Sequence, residues 1–150
     1  MTPRLALQWV SGAYLATAAL GTWVAVRDDL AGRPFGWDLP LSPLANFVVG
    51  LGTALSAPLV LLLTLVCLNV LLRREPKTGR RAAGLIALLG MGFLVGMLAE
   101  PITWQLFGSG AVDLLPAAII VANLVLPAAM ATLAMQARRR IHAQMSVARR

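Results

Sequence analysis

Four long stretches of this chain carry no Asp, Glu, Lys or Arg: Leu5 to Val26, Leu39 to Leu72, Ala82 to Ala99 and Leu114 to Ala137, of 22, 34, 18 and 24 residues. A helix needs about 20 consecutive apolar residues to cross the hydrocarbon core of a bilayer. The four windows take 98 of the 150 residues, which leaves too little chain for a soluble domain. A hydrophobic share of 59% and a charged share of 13% agree, since soluble domains carry nearly twice that charge. The expected fold is all-α: a polytopic integral membrane protein, one four-transmembrane-helix antiparallel bundle with proline-kinked helices. Its spans are expected near 5–26, 44–72, 82–107 and 114–137, with a basic tail over 138–150. The kinks fall at Pro58, Pro101 and Pro127.

The basic residues alternate along the chain. Eleven of the thirteen lie at Arg4, in Arg73 to Arg81 and in the tail, and two, Arg27 and Arg33, lie between the first and second windows. Cytoplasmic loops hold the excess of Lys and Arg, so both termini are expected inside. The acids Asp28, Asp29, Asp38, Glu100 and Asp113 then fall outside, with Glu75 alone within. A net charge of +7 arises in loops beside spans rather than in a groove on a folded surface, so nucleic acid is not an expected partner. The expected partners are anionic lipids of the inner leaflet, and a second copy or a larger membrane complex. Twelve arginines to one lysine fit a GC-rich coding genome, and a bacterial plasma membrane is the expected location.

Single residues exclude much chemistry. One cysteine, Cys67, allows no intrachain disulfide and no Cys-x-x-Cys pair. One histidine, His142, lies in the tail, so no pair of intramembrane imidazoles is present to hold haem. No cofactor and no metal are expected. The pair Asp28-Asp29 with Asp38 sits in a Pro/Gly-rich loop and reads as solvated acid rather than as a metal-diphosphate site. Nucleophile, base and metal ligands do not converge, so an enzyme is the least favoured class. Small multidrug transporters also have four helices, but they couple through a membrane-embedded Glu in the first, and this first span has no acid. Ala16-Thr17-Ala18 resembles a signal-peptidase site, yet the 22-residue apolar run exceeds a typical signal core and reads as a span.

Two sets of residues are candidates for function. Ala13, Thr17 and Gly21 on the first span, and Gly92 and Gly96 on the third, form small-residue stripes at four-residue spacing, expected to pack against another helix. Trp9 and Trp23 stand at the two ends of the first span as interfacial anchors, and Phe35 and Trp37 are placed to dip the outer loop into headgroups. Glu100 continues the register of Gly92 and Gly96. An acid near a transmembrane helix end must be paired, exposed to water or functional. Arg27, Asn46, Trp104, Gln105 and Asn123 fall at comparable or nearby depth and outline a possible ion or ligand pocket, with Arg27 the expected partner of Glu100. Two functions follow: a non-enzymatic accessory or structural subunit packing through the small-residue faces, or a small carrier or channel using Glu100 for a cation, proton or amphiphile.

Overall fold

A computed structural model describes residues 2–37, 41–50, 52–108 and 113–147. Those residues are helical with irregular connections: α1 (Pro3–Arg27), α2 (Pro43–Val49), α3 (Leu59–Leu71), α4 (Pro76–Ala99), α5 (Pro101–Gly108) and α6 (Leu114–Val147). Three of these, α1, α4 and α6, are long and apolar enough to cross a membrane.

Local chemistry explains where the helices begin. Proline opens α1, α2 and α4, at a position whose N–H would have no helical partner. Thr2 and Ser42 each accept a backbone N–H of the first turn through their hydroxyls, at 3.4 and 3.3 Å. The same rule shortens the loop between the second and third windows. Pro76 starts α4, and Gly79 is buried in its first turn.

The second window departs furthest from expectation. The sequence places a single kinked helix over 44–72; instead α2 ends at Val49 and α3 starts at Leu59. Gly50 and Gly52 adopt φ of +129° and +82°, which a helix cannot continue through. Pro58 then caps α3 rather than kinking a continuous helix. Between them Thr53, Ala54, Leu55 and Ser56 form a buried tight turn, with Thr53 N–H donating to Ser56 O at 2.9 Å. Pro101 likewise separates two helices: Glu100 before it is extended (φ −78°, ψ 129°), as the residue preceding proline prefers. Pro127 lies within α6, which remains one helix. At the start of α6, the Asp113 carbonyl accepts from Ala117 N–H at 3.0 Å. The Gly108-Ser109-Gly110 hairpin falls largely outside the described residues.

The long helix α6 packs along both α1 and α4, and α3 lies beside α4. The main core joins Leu7, Tyr14 and Ala18 of α1, Leu62, Leu65 and Leu68 of α3, Ala83, Ile86 and Phe93 of α4, and Met130 and Ala134 of α6. A second cluster near the α1–α2 connection gathers Val24, Met97, Ile119 and Ile120 around Leu55, from the irregular turn. Trp9, Trp23, Phe35 and Trp37 all point outward, as interfacial rings should.

The small-residue stripes pack differently from expectation. A Cβ placed on Gly92 or Gly96 would meet nothing within 4 Å, so neither forms a close helix contact within the chain. The tight crossing of α4 on α6 lies at Gly90, where a Cβ would stand 2.8 Å from Pro127 O. Gly90 and Gly92 lie about 200° apart around a helix, so a stripe through one faces away from the other. On α1, Ala13 is exposed and the Thr17 hydroxyl turns back to Ala13 O at 3.0 Å. Only Gly21 makes the expected close approach, against the Leu55 carbonyl.

Candidate functional site

Irregular backbone at membrane depth needs hydrogen-bond partners that lipid cannot supply. The buried turn obtains them from side chains. Thr53 Oγ1 accepts Leu55 N–H at 3.3 Å, and Asn123 of α6 donates its Nδ2–H to Leu55 O at 2.7 Å. Leu30 O accepts Ala54 N–H at 3.3 Å, tying the turn to the connection after α1. Asn46 holds the other side: its carbonyl accepts both Gly50 and Gly52 N–H, and its side chain is buried with Nδ2–H on Leu41 O at 3.4 Å.

The break at Pro101 is satisfied in the same manner. Proline has no N–H to give Met97 O, and Thr103 Oγ1 donates to that carbonyl instead, at 2.6 Å. The extended backbone at this point buries Glu100, only 6% exposed, and turns one carboxylate oxygen to Arg33 N–H at 3.0 Å.

These two breaks face one another. Between them is a cavity of about 220 Å³ bounded by Thr53, Ser56, Pro58 and Leu61, by Gly92, Phe93, Gly96, Met97 and Glu100, and by Tyr14 and Asn123. Gly92 and Gly96 thus line open space beside Glu100, which is why no atom fills their Cβ positions. Tyr14 and Phe93 stack with ring centroids 4.7 Å apart and form an aromatic wall. No Lys or Arg lines this cavity, whereas Glu100, Asn123 and three hydroxyl-bearing residues, Tyr14, Thr53 and Ser56, do. Asn123 Oδ1 is buried and has no hydrogen-bond partner. Glu100 and Ala54 also border a second hollow of about 400 Å³, lined by Asp29, Arg33, Ile102 and Gln105. Glu100 therefore stands in the wall between an outer hollow and an inner cavity.

Of the residues anticipated for a pocket, Glu100 and Asn123 meet at the inner cavity and Gln105 joins Glu100 at the outer one. The others have different roles. Arg27 does not pair with Glu100; it grips its neighbour Asp28 through two bonds, of 2.6 and 2.7 Å, and lies over the Trp23 ring. That grip holds the Asp28 carboxyl below its ordinary range. Asn46 braces the end of α2, and the Trp104 indole N–H donates to Leu98 O at 2.8 Å. Asp38 lies outside the described residues, and among those described no three His, Cys, Asp or Glu gather as a metal site. Thr53 and Ser56 beside Pro58 are the polar residues that the sequence offers for a broken-helix site, and Tyr14 was not anticipated. The signal for Thr53 and Ser56 is Gly50, Gly52 and Pro58 within nine uncharged residues, the composition of a broken helix. Compared with known protein families, characterised proteins and solved structures, the chain matches none.

Proposed function

We propose that this is a non-enzymatic membrane protein of the transport class, which takes a small cationic ligand with an apolar body into the cavity between the two helix breaks. The observation that carries the reading is the shared wall: Glu100 and Asn123, whose Oδ1 is unpartnered, line one space to which no cationic side chain contributes. A buried acceptor without a partner costs about 1–3 kcal/mol, and a ligand N–H or ammonium relieves it. The stacked Tyr14 and Phe93 rings favour a cation with carbon around it. At about 220 Å³ the space is below the usual range for drug-sized ligands, which selects small molecules. Broken helices that point unwound backbone into a cavity are the recurring device of secondary transporters. The placement that goes with this reading is a single domain whose α2–turn–α3 segment crosses in two pieces, in a bacterial plasma membrane with both termini cytoplasmic.

The test is calorimetric titration of the purified protein in detergent with benzylammonium, a small aromatic cation that keeps its N–H donors. Saturable binding is expected, weakened about tenfold in Glu100→Gln and in Asn123→Leu, with thermal unfolding within a few degrees of the parent. Equal binding of neutral ethylbenzene, or unchanged affinity in Glu100→Gln, overturns the reading. The second reading is an accessory subunit, favoured by one observation, the glycine-lined opening beside α4 at Gly92 and Gly96, where a partner's helix has room. Stoichiometric co-purification of another membrane protein that blocks the titration supports it.

A further inference from the structure

A larger groove lies toward the opposite end of the molecule, between the first half of α4 and the stretch of α6 from Ala131 to Arg139. It measures about 890 Å³. Its walls are apolar: Leu85, Leu88 and Met91 from α4, Ala131 and Met135 from α6. Its mouth carries four arginines, Arg80 and Arg81 from α4 and Arg138 and Arg139 from α6, and no Asp or Glu lines it. Arg138 reaches over Gly84, where a Cβ would be 3.7 Å from its Cδ, so the missing side chain leaves the guanidinium stem a bed on α4. Arg80 is oriented by a 3.4 Å contact to His142 Nδ1.

We infer that this groove is a binding site for an anionic phospholipid, its acyl chains along the α4–α6 walls and its phosphates among the four arginines. Charge complementarity decides the occupant. An apolar partner helix needs no cluster of like charges at one end, and that cluster is self-repelling until an anion sits in it. A zwitterionic lipid brings a cation that the cluster repels. Guanidinium matches phosphate with two parallel N–H donors, so four of them suit a headgroup with two phosphates best. Basic pockets between membrane helices beside the cytoplasmic leaflet are the usual setting for such headgroups. The inference rests on membrane placement and is independent of the Glu100 cavity.

The experiment is native mass spectrometry of the full chain released from detergent, titrated with cardiolipin, phosphatidylglycerol and phosphatidylcholine. Cardiolipin is expected to bind saturably at one site and roughly tenfold more tightly than phosphatidylcholine. The double variant Arg80→Gln, Arg138→Gln should lose that preference. Arg73→Gln with Arg74→Gln, which removes the same charge outside the groove, should keep it. Thr132→Trp, which fills the groove from α6, should weaken cardiolipin without requiring any charge change. Where the first double variant fails to fold, Arg81→Gln with Arg139→Gln makes the same comparison. Equal losses in the groove and loop variants, or no loss in either, overturn the site. Pyrophosphate displacing cardiolipin at equal concentration also overturns it, since the acyl groove then contributes nothing.

Discussion

Gly90 and Gly92 differ by two positions and by everything that surrounds them. A methyl group on Gly90 meets Pro127 O and Ala131 across the α4–α6 crossing, while one on Gly92 enters open space. Gly90→Ala is therefore expected to destabilise the folded protein by roughly 1–3 kcal/mol, because a backbone must move to admit it. Gly92→Ala is expected to stabilise by up to about 1 kcal/mol, since alanine is the better helix former and nothing resists it. Thermal unfolding in detergent of the two variants checks both signs, and a loss at Gly92 equal to that at Gly90 contradicts the assignment. The spacing of Gly92, Gly96 and Glu100 was legible as one face, but sequence does not say whether a face meets a helix or a cavity. Glu100 was legible as a residue needing explanation. Its partner was not, because Arg27 found Asp28 next door and the carboxylate found a backbone N–H 67 positions away.

The α2–turn–α3 segment shows how a local preference and a tertiary fit combine at the scale of an element. At 13 residues, α3 is about 20 Å long, short of the roughly 30 Å hydrocarbon core. The turn before it buries Leu55 against α1, α4 and α6, and in the proposed two-piece crossing it would make up the difference. The positive φ of Gly52 makes this geometry possible, and a Cβ there would lie 2.5 Å from Ser56 O. Gly52→Ala should thus cost about 1–3 kcal/mol, from strain in a left-handed conformation and from displacement of the turn. Because the turn forms one wall of the Glu100 cavity, the same variant should weaken benzylammonium binding, whereas Gly36→Ala, with positive φ in an exposed loop, should leave it unchanged. Calorimetric titration separates the two, and equal effects contradict the role of the turn. Apolar windows were readable as membrane segments, but a proline in one is equally compatible with a kink and a break. Two glycines with positive φ decide for the break, and φ is a property of the fold rather than of the residue type alone.

For the whole molecule, charge and shape give one orientation. Arg4 reaches toward Gly79 at the start of α4, and Arg140 borders the same hollow as Arg4, so the first residues of α1, the α3–α4 connection and the last turns of α6 share one end. That end holds Arg73, Arg74, Lys77, Arg80, Arg81 and the Arg138 to Arg140 run. The other end holds Asp28, Asp29, Glu100 and Asp113 with only Arg27 and Arg33, and Arg27 is already bound to Asp28. Since positive loops are retained in the cytoplasm and acids contribute little, this asymmetry predicts both termini inside. A fluorescent protein fused after Val147, of a kind that folds only in the cytoplasm, should fluoresce, and alkaline phosphatase inserted after Arg33 should be active. The reverse pattern inverts the molecule, places the arginine groove in the outer leaflet and opens the Glu100 hollow to the cytoplasm. Signal from both reporters at both sites means that the charge bias is too weak to fix orientation. Moving charge then provides the decisive check: neutralising Arg73, Arg74, Arg80 and Arg81 together while adding two arginines beside Arg33 should convert a single orientation into a mixed one. An unaltered reporter pattern in that variant shows that something other than the alternation of basic residues sets the topology.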